Sequence, residues 1–63
     1  MKWQEVTEEG WYWVVGDKYE NEPYITEIEL DINGELVYWV RHMDYGDPID
    51  FLKDAELTKI EAP

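Results

Sequence analysis

The run YITEIELDINGELVYWVR (24–41) decides the fold of this chain. Its first half alternates, with Thr26, Ile28 and Leu30 on one parity and Glu27, Glu29 and Asp31 on the other. Strict alternation over these six residues is the pattern of a half-buried β-strand. Leu36, Tyr38 and Val40 alternate in the same way with Val37, Trp39 and Arg41. Between the two halves stands Asn33-Gly34, the dipeptide that favours a tight turn between strands. A two-residue turn would pair Leu30 with Val37 and put Leu36, Tyr38 and Val40 beside the acids. A three-residue loop, with Gly34 left-handed in a bulge, pairs Asp31 with Glu35, Leu30 with Leu36, Ile28 with Tyr38 and Thr26 with Val40. Because a one-residue slip turns a whole strand over, the register that separates apolar from charged residues is preferred. That is the bulged one. It gives an apolar face of Thr26, Ile28, Leu30, Leu36, Tyr38 and Val40, and an opposite face of Glu27, Glu29, Val37, Trp39 and Arg41.

Working outward, GWYWVVG (10–16) reads as a second strand, β-branched and aromatic between glycines. Its Trp11, Trp13 and Val15 share one parity, and Tyr12 and Val14 share the other. The parity with two tryptophans has the larger apolar area, so Trp11 and Trp13 are expected in the core and Tyr12 at a contact surface. DKYENEP (17–23) is a polar loop ending in proline. HMDYGDP (42–48) is a turn cluster, and Asp47-Pro48 reads as a helix start with an acidic cap and proline in first position. PIDFLKDA (48–55) is long enough for a single turn. ELTKIE (56–61) is a short closing strand, and WQEV (3–6) could add one more. The expectation is one all-β domain over residues 1–63, or a mainly β one with a short helical turn.

Sixty-three residues form one small domain, and such a domain is marginal unless its core holds large side chains. Ten aromatics, four of them tryptophan, can supply that core. There is no cysteine, hence no disulfide framework. The opening MKWQEVTEEG contains no apolar export segment, and no apolar run approaches the roughly 20 residues of a membrane span. A cytoplasmic protein with no membrane partner is expected. Sixteen acidic residues against five basic ones leave a net charge of −11. A surface of that sign repels nucleic acid, so direct nucleic-acid binding is not expected, and it attracts basic protein grooves.

Catalytic inventory is thin. There is no serine or cysteine and one histidine, His42, so a nucleophilic triad is excluded. A small sheet offers little enclosed volume in which to tune a carboxyl group, and no enzyme is expected. Asp44, Asp47 and Asp50 near His42 lack the spacing of a calcium loop, so neither a metal nor a cofactor is called for.

The run VRHMDYGDPIDFLKDAELTKI, with the hairpin before it, resembles the second part of Tudor domains, in which a β-branched strand leads into a D-Y-G-N turn and a closing segment. The resemblance implies a small antiparallel sheet curled into a Tudor-like, Src-homology-3-like barrel around the 24–41 hairpin. It also implies an aromatic cage for a methylated cation. Tyr24 and Tyr45 match cage aromatics, His42 stands where the third would be, Trp13 or Tyr19 could substitute for the first-loop aromatic, and Asp47 stands where the family has Asn. The two ends, GWYWVV and DAELTKIEAP, resemble a group of small phage and prophage proteins. Gly10, Trp11, Tyr12, Trp13, Val14, Asp54, Ala55, Glu56, Ile60 and Pro63 carry that likeness. It implies a phage or mobile-element setting and a host-cell cytoplasm.

These readings converge on an interaction protein. Acids two residues apart along a strand lie at about 6.8 Å steps, near the phosphate spacing along one DNA strand. Glu27, Glu29 and Asp31 form such a row, Asp17, Glu20 and Glu22 are expected to extend it, and Trp39 and Tyr12 are its aromatic contacts. The expected partner is a basic nucleic-acid-binding host protein or complex, held off its nucleic acid by DNA mimicry of the anti-CRISPR kind. Two alternatives remain: a Tudor-like peptide reader using Tyr24, Tyr45 and Trp13, and an oligomeric structural phage protein with homodimer contacts through the second aromatic face.

Overall fold

The computed structural model describes residues 1–20, 22–39 and 46–62. Within them the chain forms five strands: β1 (Gly10–Val15), β2 (Tyr24–Leu30), β3 (Leu36–Trp39), β4 (Gly46–Pro48) and β5 (Glu56–Ile60). Two 3-10 turns, Trp3–Glu5 and Ile49–Leu52, complete it. The strands make one antiparallel sheet in the order β4-β3-β2-β1-β5. No helix among the described residues is long and apolar enough to cross a membrane. The chain is all-β, as its alternation predicts. No ladder among the described residues joins β4 to β5, so the sheet is open and not closed into a barrel.

The hairpin adopts the bulged register. Ile28 pairs with Tyr38 and Leu30 with Leu36. The Gly34 amide donates to the Asp31 carbonyl at 3.0 Å, and the Asp31 amide donates to the Glu35 carbonyl at 2.8 Å. Gly34 has φ +79°, the left-handed conformation that closes such a loop. Asp31 Oδ1 accepts the amides of Asn33 and Glu35, each at 2.9 Å, and so holds the loop from inside. Val40, paired with Thr26 in the sequence-based register, and Arg41 lie outside the described residues.

Strand β1 turns the opposite way from the sequence-based expectation. Tyr12 is 1 % exposed and Val14 is fully buried, whereas Trp13 and Val15 are about two-fifths exposed and Trp11 half-buried. Parity is set by the neighbours. Gly10 lies across from Ile28, Tyr12 from Thr26 and Val14 from both Tyr24 and Leu57, which places Tyr12 and Val14 on the side where Ile28 and Leu57 are buried. Tyrosine suits that position because its polar tip finds a partner, the Glu8 carbonyl at 3.0 Å. Tyr12 is a core residue and is withdrawn as a contact residue.

The core lies on this one face. Tyr12, Val14, Ile28, Tyr38 and Leu57 of the sheet meet Val6, Ile49, Leu52 and Ala55 from the turns and connections, with Trp3, Tyr24 and Leu36 at the margin. Buried Thr26 is satisfied by donating to the Trp39 carbonyl at 2.7 Å. The N-terminal segment is a 3-10 turn and not the extra strand considered from WQEV, and it lays Trp3 and Val6 against the sheet. Gly46–Pro48, expected within a turn cluster, is instead the short edge strand β4 along β3. Asp47 and Pro48 are taken up in that ladder, so Pro48 stands at the cap of the second 3-10 turn, and no side chain caps it.

Candidate functional site

Burying one face of the sheet leaves the other to solvent. Across this outer face β5 contributes Glu56, Thr58 and Ile60, and β1 contributes Val15, Trp13 and Trp11. Strand β2 adds Ile25, Glu27 and Glu29. Val37 and Trp39 of β3 and Gly46 and Pro48 of β4 complete it. Trp13, Val15, Ile25 and Trp39 are all exposed. Three of the chain's four tryptophans therefore belong to the face opposite the core, where burial on folding does not account for them. Trp13, Val15 and Ile25 lie on neighbouring strands of this face, and Trp39 lies beyond Glu27.

One cross-strand row organises the patch. Trp11 pairs with Ile60 on one side and with Glu27 on the other. The hairpin register that joins Ile28 to Tyr38 sets Glu27 across from Trp39, and Trp39 pairs with Gly46. Ile60 covers one flank of Trp11, whereas Gly46 has no side chain with which to cover Trp39. Gly46 also permits the close approach of β4, since a Cβ there would meet Val37 Cγ2 at 2.8 Å.

The electrostatics of the row are one-sided. Burial in the row, followed by a shared hydrogen bond with Glu29 and the charges of Glu29 and Glu9, pushes the Glu27 carboxyl above its usual range. The ion pairs among the described residues lie elsewhere. The N-terminal amino group and Lys2 hold Glu56, Lys18 approaches Asp54 at 3.9 Å and Lys59 holds Glu8 at 2.6 Å. None of them reaches Glu27 or Glu29.

Other acids expected to build the surface are used within the fold. Asp17 is 6 % exposed, accepts the Tyr24 hydroxyl at 2.5 Å and the Tyr19 amide at 3.0 Å, and so faces inward. Asp31 shares the outer parity, but its carboxylate is spent on the hairpin loop. Glu20 is half-buried, and Glu22 is exposed on the loop before β2. That loop meets the β2 end where Ile25 is exposed, so an apolar side chain separates its acids from Glu27. The continuous row shortens to Glu27 and Glu29.

Nor do the cage aromatics come together. Tyr24 lies across from Val14 on the core face, with its hydroxyl committed to Asp17, while Trp13 lies across from Ile25 on the outer face. His42, Asp44 and Tyr45 lie outside the described residues. Asp47 is half-buried in β4 beside Tyr38. Among the described residues no group of three His, Cys, Asp or Glu side chains is placed to hold a metal ion. Two open depressions lie among the described residues. One is lined by Trp3, Val6, Leu36 and Ile49, and another by Trp3, Lys18, Tyr19, Phe51 and Lys53.

Trp11 and Trp13, expected in the core, lie on the outer face, and Trp11 was in no site expected from the sequence. WYW presents aromatics on both parities, so no residue within it signals which side faces the core. The usable signal was outside it, in the buried parity of β2. Comparison with protein-family models found no match, and comparisons with curated proteins and with solved structures found none either.

Proposed function

We propose that this protein is a binding module, not an enzyme, that occupies the nucleic-acid-binding surface of a basic partner and inhibits it by mimicking DNA. The observation that carries this reading is the outer sheet face, where Glu27 lies between Trp11 and Trp39, with Trp13 and Glu29 on the same face, in a chain of net charge −11. Tryptophan anchors suit a protein partner, and the carboxylates select a cationic one. Self-association through the same face would set two strongly negative molecules against each other, so the face is assigned to a foreign partner. The likeness of the chain's ends to small phage proteins supports a host defence effector as that partner, met in the cytoplasm of the host cell.

The test is competition. A purified host effector is loaded with fluorescent duplex DNA, and the protein is titrated in. Displacement that is lost in the Glu27→Lys, Glu29→Lys double variant is the expected result. Displacement unchanged by that double reversal removes the reading.

A further inference from the structure

We infer that the row Trp11–Glu27–Trp39 is an arginine-recognition site, which takes a guanidinium group displayed by the protein partner. The inference rests on the reading of the outer face as a surface for basic proteins and names the group recognised there.

Neighbouring strands lie about 4.8 Å apart, so a cation centred over Glu27 stands about that far from the lines of β1 and β3. Side chains at these directly opposed positions lie close enough for an indole to reach a cation there, within the ~6 Å of a cation–π contact. Glu27 lies beneath, and Glu29 lies two residues along the same strand face. A guanidinium satisfies all these groups together. It is planar and stacks on an indole face, and its fork of donors reaches a carboxylate in two parallel hydrogen bonds. An ammonium is more strongly hydrated and gains less from stacking. A nucleic-acid base could stack on Trp39, but its phosphates would meet Glu27 and Glu29.

Gly46 beside Trp39 presents no side chain, and Trp39 remains 39 % exposed. On the other side Ile60 backs Trp11, which fixes one wall of the site. None of the ion pairs among the described residues engages Glu27 or Glu29, so an incoming cation relieves their mutual repulsion without displacing any of those pairs. Glu56, a further acid of this face, already holds the N-terminal amino group and Lys2.

The experiment uses the full chain and two capped peptides, Gly-Arg-Gly-Arg-Gly and its lysine counterpart, at about 0.15 M salt, where long-range attraction is screened beyond about 8 Å. Tryptophan fluorescence and amide chemical shifts are followed for the wild type, Glu27→Gln and Trp39→Ala, each first shown to melt as the wild type does. The expected result is saturable binding of the arginine peptide, with shifts confined to the outer residues of β1, β2 and β3. Binding should weaken about tenfold in either variant and severalfold for the lysine peptide. Equal binding of the two peptides, undiminished in Glu27→Gln, overturns the arginine site. The broader reading then stands or falls separately on the DNA-displacement test with the double charge reversal. A wild-type mass of twice 7.6 kDa that Trp39→Ala returns to the monomer value assigns the row to a second copy, and also overturns the inference.

Discussion

Tyr24 Oη donates a 2.5 Å hydrogen bond to Asp17 Oδ2 and thereby ties the loop after β1 to the first residue of β2. The same carboxylate accepts the Tyr19 amide, and the Asp17 carbonyl accepts the Glu20 amide at 3.0 Å. One buried acid thus organises the connection that brings β1 and β2 into register. Removing it leaves a phenol and an amide without their partner. Asp17→Ala should cost about 1–3 kcal/mol. For a domain of this size that lowers the melting temperature by roughly 4–8 °C per kcal/mol, measured by thermal circular dichroism. A variant that melts with the wild type would show that the contact does not hold the loop.

Burial is the main cause raising the tyrosine hydroxyls of Tyr12, Tyr24 and Tyr38 above their ordinary value of 10.0, with Asp17 adding to the effect on Tyr24 and Tyr38. A raised folded value means that the native state keeps protons the unfolded state releases. Stability is therefore fully present below about pH 10 and falls as pH rises beyond it. Urea midpoints should be flat up to about pH 9 and then decline, less steeply in Tyr24→Phe. Absorbance at the phenolate band should show these three hydroxyls ionising together with unfolding.

The carboxyl groups of Glu27 and Glu56 should titrate on opposite sides of their ordinary 4.5. Burial, then Glu29 and Glu9, raise Glu27, whereas the hydrogen bond and charge of the N-terminal amino group lower Glu56. The linkage signs are opposite. The Glu56 contribution is present above the unfolded value and is lost as pH falls through the lower folded one. The Glu27 shift favours the native state at acid pH and opposes it as pH rises through the higher folded value. Side-chain carbon chemical shifts resolve both. Acetylating the amino group should return Glu56 toward 4.5 and leave Glu27 where it is.

Face assignment predicts unequal sensitivity to truncation. Leu57→Ala empties a fully buried position and should cost about 2–5 kcal/mol. Trp13→Ser, on the exposed face, should cost less than Leu57→Ala despite removing a larger side chain. Denaturant midpoints in the reverse order would mean that β1 is turned over.

Two glycines test the backbone. Gly34→Ala places a side chain at φ +79° and should cost about 1–2 kcal/mol, although nothing lies within 4 Å of the new Cβ. Gly46→Ala has the opposite problem, a Cβ driven against Val37 Cγ2 at 2.8 Å, and should cost about 1–3 kcal/mol by pushing β4 from β3. Gly34→Asn should recover much of the first loss, since asparagine visits the left-handed region, but Gly46→Asn should recover none of the second. Chemical denaturation of the four variants separates the two causes.

The hairpin was legible in the sequence down to its register, because Asn33-Gly34 marks the turn and the segregation of apolar from charged residues chooses the bulged pairing over the two-residue one. The closing strand was legible as well, although its two aliphatics, three residues apart, cannot share one face of a strand. Leu57 is buried on the core face, and Ile60 serves the outer one beside Trp11. The acidic row was only half legible. Periodicity placed Glu27 and Glu29 beside Trp39, but it could not show that Asp31 and Asp17 turn their carboxylates to backbone amides.

By itself the sequence determined an acidic all-β chain built on one hairpin, since binary patterning and turn chemistry are local and act within a few residues. Tertiary structure alone decided which side of GWYWVVG faces the core. Trp11-Tyr12-Trp13 is hydrophobic on both parities, so hydrophobicity cannot choose between them. Hydrogen-bonded pairing with Thr26, Ile28 and Leu57 does, and it turns Tyr12 and Val14 inward. Trp11 and Trp13 are left outside, beside Glu27 and Trp39.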